Sequence, residues 1–273
     1  MPLAIINGTE MFYEDRGPRD APAIVFSHSL FFDHRMFEAQ LEHFAKTYRV
    51  VAYDHRSHGR SGDAADGRYD MDTMTADVVA LIKHLKLDRV HVIGNSMGGF
   101  IALRLAARHP DLVRSAVIIG SSAEAEAKAK EYEPLVQLLS ETGGANAVDT
   151  LMYVMFGDAT LADPAKSDMR AIWHGRMAAL PPAIAAPARA VVEREGVLGE
   201  LKQARVPILA LSGEEDHAYS AELSMRIVAT APMARCEVIA QAGHSPTLEQ
   251  PEVVTERLAN HFAAVDAEAA MPT

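Results

Sequence analysis

Three side chains of this 273-residue chain have the types and placement for acyl-transfer chemistry: a serine, a histidine and a carboxylate. Ser96 sits in Gly94-Asn95-Ser96-Met97-Gly98, a G-x-S-x-G pattern between the apolar runs 90–93 and 100–107. That context predicts a strand, a sharp turn and a helix, with the serine projecting from the turn. A backbone bent so tightly leaves no room for side chains two residues away on either side. Both glycines follow from this, and Gly99 allows still closer packing. The helix N-terminus beneath favours developing negative charge.

A serine hydroxyl needs a general base at neutral pH. Among twelve histidines, His84, His91, His109 and His261 fall within or at the ends of expected elements, where packing or surface roles account for them. His244, in Ala242-Gly243-His244-Ser245-Pro246, instead follows the last expected strand at its carboxyl end. The base needs an acid that fixes its tautomer and stabilises the imidazolium. Asp216, in Gly213-Glu214-Glu215-Asp216, lies at the same sheet edge; Glu214 and Glu215 are near rivals and Glu124 a distant one. An oxyanion hole needs two backbone N–H groups. Met97, directly after the serine, supplies one. The other is expected from Leu30, with Ser29 as the alternative, in the loop Ser27-His28-Ser29-Leu30. Ser29, Phe31, Met155 and Trp173 are candidate pocket residues, and Phe32, His174 and Arg176 could join them. Arg170 and Arg176 could hold a substrate carboxylate, though ordinary surface roles explain both.

These groups must be positioned by regular elements. Residues 3–6 and 10–15 flank Asn7-Gly8, a pair suited to a type I′ hairpin turn. Strands are expected at 23–26, 49–53, 90–93, 116–119, 207–211 and 236–239, and helices at 36–45, 72–85, 97–109, 221–229 and 251–264. The strands are apolar throughout rather than at every second residue, which predicts a mostly parallel sheet covered on both faces. Between about 123 and 198 the alternation stops, and the Ala-, Met- and Pro-rich sequence reads as several short helices. The division is then a core of 1–122 and 199–273 with a helical insertion, 123–198, placed to act as a lid. Ligands of open α/β sheets bind at the carboxyl ends of the strands. Met152, Met155, Met169 and Met177 would give such a lid an adaptable apolar lining. Residues 266–273 are expected to fray.

Composition narrows the function. The net charge of −11, with no cluster of basic residues, argues against a nucleic-acid or membrane-surface partner. No apolar stretch approaches the roughly 20 residues of a membrane span. The single cysteine, Cys236, and an N-terminus without a signal-peptide pattern lead us to expect a cytoplasmic protein. No phosphate-binding G-x-x-x-x-G-K-[ST] run occurs, and the glycines at 94–99 lack the dinucleotide spacing.

Four motifs in this order resemble the α/β-hydrolase-fold enzymes over nearly the whole chain. Residues Val51 to Ser61 are similar to that family's D-x-R-G-H-G-x-S loop, and the serine, acid and histidine segments match in the order Ser96, Asp216, His244. Ser29 stands where many members have glycine, as does Ser57. In having Ser-Leu at 29–30, and in segments 72–85 and 177–190, the chain resembles the 3-oxoadipate enol-lactonases. The resemblance implies a cofactor-free, metal-free hydrolase of a small carboxylic ester or lactone, and gives His55 and His58 no metal role. A perhydrolase or C–C bond hydrolase would use the same triad. A non-catalytic small-ligand receptor is the alternative of another class. A dehalogenase would need an aspartate where Ser96 stands.

Overall fold

The computed structural model describes residues 2–270. Strands β1 (Leu3–Ile6) and β2 (Thr9–Arg16) form the expected hairpin, with Asn7 at φ 46° and Gly8 at φ 81° turning the chain. The other strands are β3 (Ala23–Ser27), β4 (Arg49–Tyr53), β5 (Val90–Asn95), β6 (Val113–Ile119), β7 (Ile208–Gly213) and β8 (Ala234–Ile239). They join one eight-stranded sheet in the order β1-β2-β4-β3-β5-β6-β7-β8. Pairing is antiparallel at β1–β2 and β2–β4 and parallel from β4 to β8. Every residue of β3, β5 and β7 is buried, as a two-sided covering requires.

Helices α1 (Glu38–Phe44), α2 (Met71–His84), α3 (Met97–Arg108), α9 (Ala221–Thr230) and α11 (Pro251–Ala270) alternate with these strands. The expected helix at 36–45 begins as a 3₁₀ turn, His34–Phe37, because Asp33 caps it by accepting the Arg35 N–H. The side chain of Asp70 caps α2 by accepting the N–H of Thr73 at 2.8 Å. Arg56, from the loop after β4, forks onto Asp77 of α2 at 2.6 and 2.7 Å, and Asn7 donates to the same carboxylate. That loop is thereby pinned to both the hairpin and α2.

Between β6 and β7 the chain contains only helices: α4 (Ala129–Thr142), α5 (Val148–Met155), α6 (Asp158–Ala162), α7 (Ser167–Ala178) and α8 (Ala185–Val192), with short 3₁₀ turns. Its two ends meet, since the N–H groups of Val197 and Leu198 both donate to the Ala123 carbonyl, at 2.7 and 3.0 Å. One expectation fails at the C-terminus. Residues 266–270 do not fray but extend α11, because Asp266 accepts hydrogen bonds from Tyr48, His91 and Arg114. Residues 271–273 lie outside the described residues. Among those described, no helix is long and apolar enough to cross a membrane.

Candidate active site

Ser96 begins where β5 stops, one residue before α3. Its φ of 51° and ψ of −111° put a side-chain-bearing residue in strained backbone. The flanking glycines make this possible. A Cβ on Gly94 would lie 2.1 Å from the Gly98 carbonyl oxygen, and one on Gly98 would lie 2.0 Å from that of Ser27. The turn therefore admits glycine alone at both positions.

His244 lies after β8, between Gly243 and Ser245, and is 1% exposed. Its Nδ1 faces Asp216, which follows β7, at 3.0 and 3.1 Å from the two carboxylate oxygens. Asp216 is itself oriented by the backbone N–H groups of Ala218 and Tyr219, which donate at 2.8 and 2.9 Å. On the opposite side of the ring, buried Nε2 has no hydrogen-bond partner among the described residues. Ser96 and His244 line the same cavity, of about 60 Å³. The rival acids have other partners. Glu214 accepts from the Gln241 N–H, Glu215 accepts from the Ala159 N–H of α6, and Glu124 pairs with Arg226 on the surface.

The N–H groups of Leu30 and Met97, the two expected donors, have no acceptor among the described residues. The Ser29 N–H, the alternative donor, is directed to the sulfur of Met36, 3.3 Å away. Ser29 does not have a positive φ, so its backbone makes no demand for glycine there. Ser57 does, with φ 59°, and its hydroxyl bonds to that of Tyr69. The peptide carrying the Leu30 N–H is held from behind, because His28 Nδ1 donates to the Ser29 carbonyl at 2.8 Å. His28 Nε2 accepts the His55 N–H at 2.9 Å, which sets the tautomer. Burial first, and then the neighbouring His58, push the His28 ring down to about 4, so it stays neutral.

The cavity is lined by Leu30 and Phe31 from the core, by Leu139, Met155 and Val191 from the inserted segment, and by Tyr219. Two pocket candidates lie elsewhere. Trp173 is buried against Phe32, ring centroids 4.8 Å apart, with the Arg176 guanidinium 4.4 Å from its ring centre. Ser29 is fully buried and does not line the cavity. Of the four methionines considered, only Met155 reaches it. Arg170 is occupied by the carbonyls of Thr160 and Asp163.

Several contributors escape motif reading because their signal is purely spatial. Asn95 Nδ2 donates to the His244 carbonyl at 3.0 Å. Glu249, in the short helix α10 (Pro246–Glu249), accepts from the N–H groups of Gly243 and Ser245, on either side of the histidine, at 2.9 and 3.0 Å. Its other oxygen accepts the Gly157 N–H of the inserted segment at 2.8 Å. Glu126 also lines the cavity. Among the described residues, Asp33, His34 and Asp54 bring potential metal ligands within 4.8 Å of one another. Asp33 is engaged by Arg35, however, and Asp54 accepts from both His34 and the Arg60 N–H. These bonds fix the loop instead.

A strained serine at a strand–helix turn, on a sheet of this order, defines the class: the chain has the α/β-hydrolase fold. A family model described as the alpha/beta hydrolase fold matches residues 22–150. The chain is similar to 3-oxoadipate enol-lactonase 2 of Acinetobacter baylyi, 27% identical over 240 residues, or 88% of each protein. The fold matches a thermophilic esterase from Thermogutta terrifontis at TM-score 0.89 and 25% identity, over 97% of this chain and 99% of that one. The enol-lactonase from Burkholderia xenovorans LB400 matches at TM-score 0.88 and 27% identity, over 96% and 100% of the two chains.

Proposed function

We propose that this protein is a cofactor-free serine hydrolase of small carboxylic esters or lactones. The observation that carries the reading is the Asp216–His244 pair, whose free, buried Nε2 shares one small cavity with Ser96. Asp216, held by two backbone donors, keeps the Nδ1–H tautomer, so that Nε2 is the atom able to accept the serine proton. Attack by Ser96 places negative charge on the former carbonyl oxygen, between the N–H groups of Leu30 and Met97. The protonated ring then gives its proton to the leaving alcohol, which in a lactone stays tethered to the acyl chain. Water, activated by the same nitrogen, releases the acid from the acyl-enzyme. Segment 123–198 acts as a cap that closes the acyl side of the site, and the single cysteine of the chain, Cys236, fits a cytoplasmic setting. Kinship in sequence and fold with esterases and enol-lactonases supports the substrate class.

The test combines labelling and turnover. A fluorophosphonate should modify wild-type protein at Ser96, and a panel of aryl esters, aliphatic lactones and enol-lactones should show alkali uptake in a pH-stat. No labelling and no turnover of any member would overturn the reading.

A further inference from the structure

The acyl cavity has one anionic wall. Among the described residues, Glu126 is the only acidic or basic side chain besides His244 that lines it; much of the surrounding surface is apolar, from Leu135, Val136, Leu139, Val154, Met155 and Val191. Glu126 sits on the inserted segment, its side chain 5% exposed. Its donors identify it as a carboxylate: Arg194 Nη1 at 3.0 Å and the Tyr219 hydroxyl at 2.8 Å on one oxygen, the Lys128 N–H at 3.0 Å on the other. Order matters here. Arg194 does not line the cavity but stands behind Glu126, its guanidinium 4.0 Å from the Phe100 ring centre and its side chain 2% exposed. A bound acyl chain therefore meets the anion and not the cation. Tyr132, another lining residue, lies in the same field: burial and then the Glu126 charge push its phenol up to about 12.

We infer that Glu126 makes this site selective for short uncharged acyl chains and excludes those ending in a carboxylate. The inference rests on the hydrolase reading and narrows it. A cavity of about 60 Å³ suits a short acyl chain. A terminal carboxylate on such a chain would be confined a few ångströms from Glu126, in a site with little water to screen the repulsion. Among the described residues no lysine or arginine lines the cavity to receive it.

Two esters separate charge from size: p-nitrophenyl 4-oxopentanoate and mono-p-nitrophenyl succinate, whose acyl groups differ only in a terminal methyl replaced by an anionic oxygen. Wild-type kcat/KM, after subtraction of uncatalysed hydrolysis, should favour the neutral ester at least tenfold. In Glu126→Gln the unmasked Arg194 should shrink that preference at least tenfold, mainly through faster turnover of the succinate. A wild-type preference below tenfold overturns the inference and needs no variant. A preference that persists unchanged in a folded Glu126→Gln overturns the assignment to this residue. Turnover of neither ester, with no fluorophosphonate labelling of Ser96, would instead be failure of the hydrolase reading.

Discussion

Asn95 and His244, 149 residues apart in sequence, are joined by a hydrogen bond from the asparagine amide to the histidine carbonyl at 3.0 Å. The residue preceding the proposed nucleophile thus holds the loop that carries its proposed base. Asn95→Ala should leave that buried carbonyl without this donor and cost about 1–3 kcal/mol of stability. It should also lower kcat roughly tenfold with little change in KM, because the histidine is misplaced rather than lost. Steady-state kinetics check this, and a larger effect on KM than on kcat would refute it.

The strained turn makes stability and activity separable at Ser96. Ser96→Gly should abolish acyl-enzyme formation yet raise stability by about 1 kcal/mol or more, since glycine accepts φ near 51° without penalty. Ser96→Ala should be equally inactive without that gain. Calorimetry of the three proteins decides, and a glycine variant no more stable than the alanine one would show that the turn is unstrained.

For the acid, Asp216→Asn should lower kcat by about four orders of magnitude, because its amide would favour the wrong histidine tautomer. Glu124→Gln should be nearly silent, its carboxylate being tied to Arg226 at the surface. Crippled turnover in Glu124→Gln beside a mild Asp216→Asn would reverse the assignment.

Acid should weaken the fold through its buried histidines. Burial pushes His261 down to about 3, and neither of its ring nitrogens has a hydrogen-bond partner among the described residues. In the unfolded chain the ring titrates near ~6.5. As pH falls below that value the unfolded state gains a proton that the folded state refuses, so stability declines with each step downward. His28, held at about 4, adds to the slope in the same direction. His261→Leu should remove most of one proton's share, about 1.2 kcal/mol between pH 6 and 5. Urea unfolding across that range measures it, and an unchanged slope would sink the claim.

Met155 and Trp173 should part company on substitution. Met155→Ala enlarges the acyl cavity and should change the ratio of kcat/KM between a short and a bulkier ester, at a scale of ~1–3 kcal/mol per methylene contact. Trp173→Ala should leave that ratio alone and cost about 3–5 kcal/mol of stability by emptying its place against Phe32. Equal shifts in ratio for both variants would return Trp173 to the pocket.

Alternation of strand and helix was legible because buried strands leave continuous apolar runs, as at 23–26 and 116–119. Ser96, Asp216 and His244 could be singled out because each follows such a run at one sheet edge. Residues acting across the fold left no local trace. Glu249 and Asn95 look like ordinary polar residues until tertiary packing brings them to the histidine loop. Glu126 lies in an Ala-Glu-Ala-Lys stretch whose composition announces only helix propensity. Trp173 shows the converse error, since size and aromaticity suggest a pocket wall where the structure uses the ring as packing. Fraying was misjudged for 266–270 because the anchor, Asp266, finds its partners on β5, β6 and the segment before β4.

Glu249 has a mechanical consequence. One carboxylate grips the inserted segment at Gly157 and, with its other oxygen, the peptides on both sides of His244. Any displacement of the segment at Gly157 would loosen a group that the loop of His244 also relies on, so two stretches far apart in sequence are mechanically coupled through one side chain.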